Sequence, residues 1–149
     1  MIKTIVLTAA PLLMSFALAR QPGDAYDSIQ KPAWTPPPYV FPIVWTCLYL
    51  AMGYASARVA GVAGLFSLPL LVYAVQLALN VSWTPVFFGR GDFSTALTIL
   101  RGLIIAATAT MVLFWNRDTV AGLLFIPYIL WLLVAHQLNA DIVDLIPPM

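Results

Sequence analysis

The charged residues of this chain stand far apart, and the stretches between them are long and apolar. Between Lys31 and Arg58 there are 26 uncharged residues, and between Arg58 and Arg90 there are 31. Asp118 and Asp141 enclose another 22. A helix crosses a bilayer core with about 20 mostly apolar residues. The spacing therefore predicts membrane-spanning helices, and the lack of apolar–polar alternation argues against strands.

Composition supports a lipid environment and excludes several classes of function. Charged residues make up 9% and hydrophobic residues 62% of the chain, whereas a soluble domain carries about 25% charged residues. There is no glutamate, Cys47 is the only cysteine and His136 the only histidine. We therefore expect no metal site, no intrachain disulfide and no Ser–His–Asp or Cys–His hydrolase triad. No basic cluster suggests nucleic-acid binding.

The apolar stretches predict an all-α integral membrane protein, a five-transmembrane-helix bundle forming one domain over residues 1–149. The helices are predicted at 2–19, 41–60, 65–88, 93–115 and 119–142. Lysine and arginine are divided equally between the two sides, so the positive-inside rule gives no orientation. Alternatively, the first segment is a signal peptide cleaved after Ala17-Leu18-Ala19, which would leave four helices.

The first connection, from Arg20 to Val40, is much longer than the others. A loop of about 20 residues in a compact domain is usually functional or disordered. This one contains five prolines together with Tyr26, Trp34 and Tyr39, which argues against disorder. We predict an ordered lid over one end of the bundle, with Trp34 packing toward the helices.

Polar and aromatic residues recur at helical spacing on three of the predicted helices. Such residues face the bundle interior because unpaired polar groups are costly in hydrocarbon. They suggest a shared pocket with aromatic walls, suited to large flat ligands, or else hydrogen-bonded packing between helices. The stripes are Tyr73, Gln76, Asn80, Trp83 and Phe87 on helix 3, Trp45 and Tyr49 on helix 2, and Tyr128, Trp131, Ala135 and Asn139 on helix 5.

One arginine lies inside a predicted span. Arg101 is about eight residues into helix 4, on a stripe with Ser94, Thr98 and Thr108. An ionisable residue within the membrane is a functional candidate by default. The alternative is that its long side chain snorkels to the membrane surface.

Four motifs in order carry a resemblance that covers nearly the whole chain. The chain resembles the TspO family, which comprises tryptophan-rich sensory proteins and the mitochondrial translocator protein, or peripheral-type benzodiazepine receptor. The motifs are Lys31-Pro32-Ala33-Trp34-Thr35-Pro36-Pro37, the helix 2 start at residues 41–49, the helix 3 segment 76–88, and Pro127-Tyr128-Ile129-Leu130-Trp131 followed by Leu138-Asn139.

The resemblance implies a five-helix bundle, often a homodimer, with a ligand pocket closed by the first loop. Family ligands include protoporphyrin IX, haem, cholesterol and benzodiazepine-type drugs, and no cofactor is obligatory. Some bacterial members are reported to degrade protoporphyrin in light and oxygen, which gives Trp45 and Trp131 a catalytic role if that reaction occurs here. The resemblance, the polar and aromatic stripes and the predicted lid together give the expected ligand-binding residues. These are Trp34, Trp45, Tyr49, Asn80, Trp83, Phe87, Tyr128, Trp131, Ala135 and Leu138.

Two features depart from the family pattern. The animal cholesterol motif needs Lys or Arg within five residues after a Tyr, but helix 5 contains neither, so sterol recognition by that motif is unsupported. Several relatives carry an acid near the position of Arg101.

The resemblance implies a receptor or sensor for tetrapyrroles rather than a conventional enzyme. The alternatives are photodegradation of porphyrin and passive transport of porphyrin or sterol. Proton-coupled export is not expected because the aspartates lie at helix ends or in loops. The location would be the cell membrane in a bacterium, and the outer mitochondrial or another organelle membrane in a eukaryote.

Overall fold

Helices dominate the described part of the chain, which in this computed structural model comprises residues 1–18, 26 and 29–146. The five helices are numbered in chain order, and α3 continues into a π-helical turn, Pro85–Gly89. The predicted all-α, five-helix architecture is confirmed. The helices are α1 (Ile2–Leu18), α2 (Val40–Ala63), α3 (Leu68–Thr84), α4 (Phe93–Arg117) and α5 (Thr119–Leu145).

The helix bounds differ from the predicted ones at a few ends. α2 runs three residues further than predicted and stops at Gly64, whose φ of 92° is left-handed. α3 begins at Leu68 rather than at 65, because Ser67 is extended and Pro69 favours the first helical turn. α5 continues three residues beyond the predicted 142.

Part of the first connection lies outside the described residues. Residues 19–25, 27 and 28 are not described, and they include Arg20, Pro22 and the cleavage point of the alternative signal peptide. The described segment 29–39 contains two turns, in which Thr35 N donates to Pro32 O at 3.1 Å and Val40 N donates to Pro37 O at 3.0 Å. The loop as a whole therefore remains a prediction.

Among the described residues, four helices are long and apolar enough to cross a bilayer: Val40–Ala63, the combined Leu68–Gly89 segment, Phe93–Arg117 and Thr119–Leu145. The shorter α1 is also apolar and packs along α2. Large aliphatic side chains are exposed on the outer faces of the bundle, among them Ile105, Leu123 and Leu130. A surface of this kind is suited to lipid, and the chain is an integral membrane protein.

Two glycines of the described residues allow neighbouring helices to pack closely. A Cβ on Gly53 would collide with the carbonyl oxygen of Thr8 and lie 2.8 Å from that of Leu7, so α1 approaches the α2 backbone directly. A Cβ on Gly122 would lie 2.6 Å from the indole of Trp115. Glycine thus sets the contact distance at both places.

The connection from α4 to α5 is a single residue, Asp118. It ends α4 and also caps α5, because its Oδ1 accepts from Ala121 N at 3.0 Å. Arg58 of α2 binds the same carboxylate, with Nε 3.1 Å from both oxygens and Nη2 3.1 Å from Oδ2. The Arg58 guanidinium, followed by the α5 amide, lowers the pKa of Asp118 below its usual value. This ion pair closes the end of the bundle opposite segment 29–39.

Candidate functional site

The interior of the bundle holds a continuous chain of hydrogen bonds between α2, α3 and α5. The Tyr49 hydroxyl donates to Asn80 Oδ1 at 2.5 Å, and Asn80 Nδ2 donates to the Tyr128 hydroxyl at 2.7 Å. Tyr128 in turn donates to Gln76 Oε1 at 2.8 Å, and Gln76 Nε2 points to Met52 Sδ at 3.8 Å. All five side chains are buried. Each amide is therefore satisfied on both its oxygen and its nitrogen.

A second set of hydrogen bonds joins α3, α4 and α5. The indole nitrogen of Trp83 donates to Asn139 Oδ1 at 3.2 Å, and Asn139 Nδ2 donates to the Phe93 carbonyl at 2.8 Å. Asn139 is fully buried. In this conformation the amides of the predicted stripes connect helices, which matches the packing interpretation of those residues.

Aromatic rings gather at the end of the bundle where α2 begins, and we call them the aromatic cluster: Tyr26, Phe41, Trp45, Tyr49, Trp83, Phe87, Phe88, Tyr128 and Trp131. Trp45 lies near its centre. Its ring stacks on Tyr49 with centroids 5.4 Å apart and meets Trp83 at 6.2 Å. It also contacts Tyr128 and Trp131 edge-on, each at 6.4 Å. Three helices thus supply neighbouring rings, as the stripes predicted.

Trp131 has a buried polar atom with no partner in the part of the chain that the structure describes. Its Nε1–H donor is shielded from solvent and makes no hydrogen bond to any described residue. Leaving a buried donor unsatisfied costs about 1–3 kcal/mol. The same ring contacts Phe41 at 5.8 Å and Trp45 at 6.4 Å. The cluster therefore offers an unused hydrogen-bond donor beside two aromatic faces.

A cavity of about 220 Å³ lies next to the cluster, between α1, α2 and the end of α3. Its walls are mostly apolar, with hydroxyl groups from both α1 and α2. Pockets for drug-sized ligands typically measure about 300–1,000 Å³, so this cavity is smaller than a large flat ligand requires. It is lined by Leu12, Ser15, Phe16, Phe41, Pro42, Trp45, Thr46, Tyr49, Thr84 and Phe88.

The segment before α2 lies at the end of the bundle where α2 begins and α5 ends. Trp34 Nε1 donates to Asp141 Oδ2 at 3.1 Å, although 45% of the Trp34 side chain is exposed. Lys31 Nζ lies 4.7 Å from the centroid of the Tyr26 ring. Tyr26 itself is buried against Phe88, with centroids 4.9 Å apart. The segment therefore contacts both α5 and the aromatic cluster.

The predicted ligand-binding residues occupy three kinds of position. Trp45 and Tyr49 line the cavity, and Trp34 lies at the bundle end. The remaining seven lie in or against the packed interior: Asn80, Trp83, Phe87, Tyr128, Trp131, Ala135 and Leu138.

The sequence prediction omitted several members of the cluster. Phe41 lies four residues before Trp45 on the same face of α2, so helical spacing was sufficient to find it. Phe88 follows Pro85, and its contacts depend on the π-helical turn there. Such turns are frequent at functional sites, but they have no simple sequence period.

Comparison with known proteins identifies the family. The model of the TspO/MBR family matches residues 3–145. The chain belongs to the TspO/MBR family. It is 43% identical over 129 residues to Protein CrtK of Rhodobacter capsulatus, covering 85% of this chain and 81% of that protein.

Other similar TspO-type proteins come from bacteria and animals. A tryptophan-rich sensory protein of Cereibacter sphaeroides is 45% identical over 121 residues, with coverages of 81% and 76%. The human translocator protein is 42% identical over 118 residues, with coverages of 76% and 70%. The TspO resemblance predicted from four motifs is thus confirmed.

Proposed function

We propose that this TspO-family protein is a membrane receptor for large flat hydrophobic ligands, with tetrapyrroles such as protoporphyrin IX and haem as the preferred class. The observation that supports it best is the aromatic cluster around Trp45, beside a cavity that already exists. Flat conjugated rings bind well between aromatic side chains. The names of the relatives, sensory protein and translocator protein, agree with a role in recognising a ligand.

The ligand would enter by widening the small cavity. Trp45 and Tyr49 line the cavity. Trp131 does not line it but contacts the Trp45 ring. Moving these rings apart would place a flat ligand against indole faces and bring a ligand carboxylate or carbonyl within reach of Trp131 Nε1. The amide network lies deeper and would remain as the fixed floor of the pocket, because its hydrogen bonds are already satisfied.

The test is a titration of the purified protein with protoporphyrin IX in darkness. We expect saturable quenching of tryptophan fluorescence, reversed when the ligand is removed. The variant Trp45→Ala should weaken binding, whereas Trp115→Phe, at the opposite end of the bundle, should not. Linear, non-saturating quenching would contradict a defined site.

A second candidate function is light-dependent degradation of bound porphyrin, with molecular oxygen as the oxidant. It is favoured by the edge-on contact of Trp45 and Trp131 at 6.4 Å, because an indole next to an excited ligand can supply an electron more readily than a phenyl ring. Passive transport of porphyrin or sterol is the remaining alternative. Illumination separates degradation from binding, since only degradation consumes the porphyrin.

A further inference from the structure

Arg101 is exposed on the outer surface of α4, within a helix long and apolar enough to span the membrane. The only salt bridge among the described residues is Arg58–Asp118, at the other end of the bundle. Arg101 therefore has no carboxylate partner in the part of the chain that the structure describes. A guanidinium remains protonated at any pH that proteins tolerate, so it carries an unneutralised positive charge on a lipid-facing surface.

His136 of α5 orients this guanidinium. Arg101 Nε donates to His136 Nε2 at 3.4 Å. The imidazole must be neutral to accept this bond, so the histidine takes up one N–H of the arginine without adding a second charge. The four Nη hydrogens have no partner among the described residues. They form the planar donor set that suits a bidentate phosphate.

The depth of Arg101 brings its charge near the phosphate layer. It lies eight residues after Phe93, or about 12 Å along the helix axis. α4 has 25 residues, a length of about 37 Å against a hydrocarbon core of about 30 Å. With α4 centred, the Arg101 Cα lies about 8 Å below the hydrocarbon boundary. An arginine side chain that extends toward the surface covers much of that distance.

The polar surface continues from Arg101 toward the same end of the helix. Thr98 lies about one turn before Arg101, and Ser94 about one turn before Thr98, at the start of α4. Both side chains are exposed. Thr98 Oγ1 bonds to the Ser94 carbonyl at 3.3 Å. A row of hydroxyls thus leads from the membrane surface down to the guanidinium, along an otherwise aliphatic face.

We propose that Arg101, positioned by His136, binds the headgroup phosphate of an anionic phospholipid in the leaflet on the side of segment 29–39. Charge complementarity selects this partner: the site has one net positive charge, and the guanidinium extends from within the hydrocarbon toward the headgroup phosphates. An anionic lipid such as phosphatidylglycerol is preferred because its phosphate charge is not offset by an ammonium group in the same headgroup. A carboxylate from a second copy of the chain is the competing occupant.

Native mass spectrometry of the full chain in a neutral detergent tests the proposal, with dioleoyl phosphatidylglycerol and dioleoyl phosphatidylcholine as added lipids. Arg101→Gln should weaken phosphatidylglycerol binding by about fivefold, the effect of one basic residue near an anionic lipid surface. Arg90→Gln is the matched control, because Arg90 is an exposed arginine at the same end of the bundle. It should change binding less than twofold, because the nearby carboxylate of Asp92 offsets the charge of Arg90.

Variants of His136 test the positioning role. His136→Gln keeps an acceptor for Arg101 and should retain the lipid preference, whereas His136→Phe should lose it. Equal losses in Arg101→Gln and Arg90→Gln would overturn the proposal. Inorganic phosphate that displaces the bound lipid as effectively as added phosphatidylglycerol does would also overturn it. A third contrary result is an Arg101→Gln protein that changes from dimer to monomer while its lipid binding stays the same.

Discussion

Trp34 and Asp141 are joined by a hydrogen bond across 107 residues of sequence, from Nε1 of the indole to Oδ2 of the carboxylate. The other carboxylate oxygen, Oδ1, accepts from Gln137 Nε2 at 2.7 Å. The segment that precedes α2 is thus attached to the last turns of α5. Because the same segment also contacts the aromatic cluster, through Lys31 and Tyr26, we expect this attachment to slow the release of a ligand bound there.

Trp34→Phe and Asp141→Leu should each raise the rate of ligand release several-fold, because either change removes the same hydrogen bond. The double variant should release no faster than the single ones. Replacing residues 32–38 with a Gly/Ser linker should have a larger effect, since the prolines keep the segment stiff. Stopped-flow release of protoporphyrin IX measures all three. Asp144→Leu, an exposed acid in the next turn, is the control, and a rate equal to that of Asp141→Leu would argue against the attachment.

Trp45→Phe combined with Trp131→Phe should slow porphyrin photodegradation while the helices stay assembled. Phenylalanine keeps an aromatic ring in each place but is harder to oxidise than an indole. Loss of porphyrin absorbance under constant illumination is the measurement, with binding in darkness as the reference. Trp115→Phe should behave as wild type. Equal degradation rates in the wild type and the double variant would end the photochemical hypothesis.

Asn80→Leu should destabilise the bundle and weaken ligand binding. It leaves the buried hydroxyls of Tyr49 and Tyr128 each short of a partner, at a cost of about 1–3 kcal/mol per group. Thermal unfolding in detergent should show a lower midpoint than wild type. Asn116→Leu removes an exposed asparagine and should leave the midpoint unchanged. A wild-type midpoint for Asn80→Leu would mean that the network contributes nothing to stability.

Stability should fall in acid through Asp118. Arg58 holds the pKa of this carboxyl below its usual value, so the folded state favours the ionised form. The stabilisation is present in full at pH values above the pKa of this carboxyl in the unfolded chain, about 3.9. It is lost as the pH falls through the lower pKa of the carboxyl in the folded protein. Asp118→Asn keeps an N-cap residue for α5. The thermal unfolding midpoint of this variant should depend less on pH between pH 7 and 3 than that of the wild type. Asn116→Leu, which changes no ionisable group, should leave the wild-type pH dependence intact.

Gly53→Ala should separate α1 from α2, because the added Cβ meets the backbone oxygens of Thr8 and Leu7. The cavity should change shape as well, since Leu12 and Phe16 of α1 form one of its walls. Gly61→Ala is the matched control in the same helix, where an added Cβ meets nothing within 4 Å. Proteolysis of α1 in detergent should be faster only in Gly53→Ala. Equal cleavage of the two variants would contradict this packing.

Helical spacing was enough to predict which faces of α2, α3 and α5 meet. Gln76, Asn80 and Trp83 are all buried as predicted, because unpaired polar groups are costly in hydrocarbon and therefore face the bundle interior. Spacing could not predict hydrogen-bond partners: the choice of Tyr49 and Tyr128 for Asn80 depends on how far each helix slides along its neighbour. The Trp34–Asp141 contact had no sequence signal, since it joins an irregular segment to an exposed acid.

The single-residue connection at Asp118 also bears on how the protein enters the membrane. With no loop between them, α4 and α5 cannot adopt their orientations independently, so a translocation machinery has to accept them as one antiparallel hairpin. Lysine and arginine are balanced between the two sides of this chain, which leaves little charge bias to direct each helix separately. Lengthening this connection with a flexible insert would therefore release α5 to insert in either direction, and topology reporters fused to the C-terminus would detect the mixture.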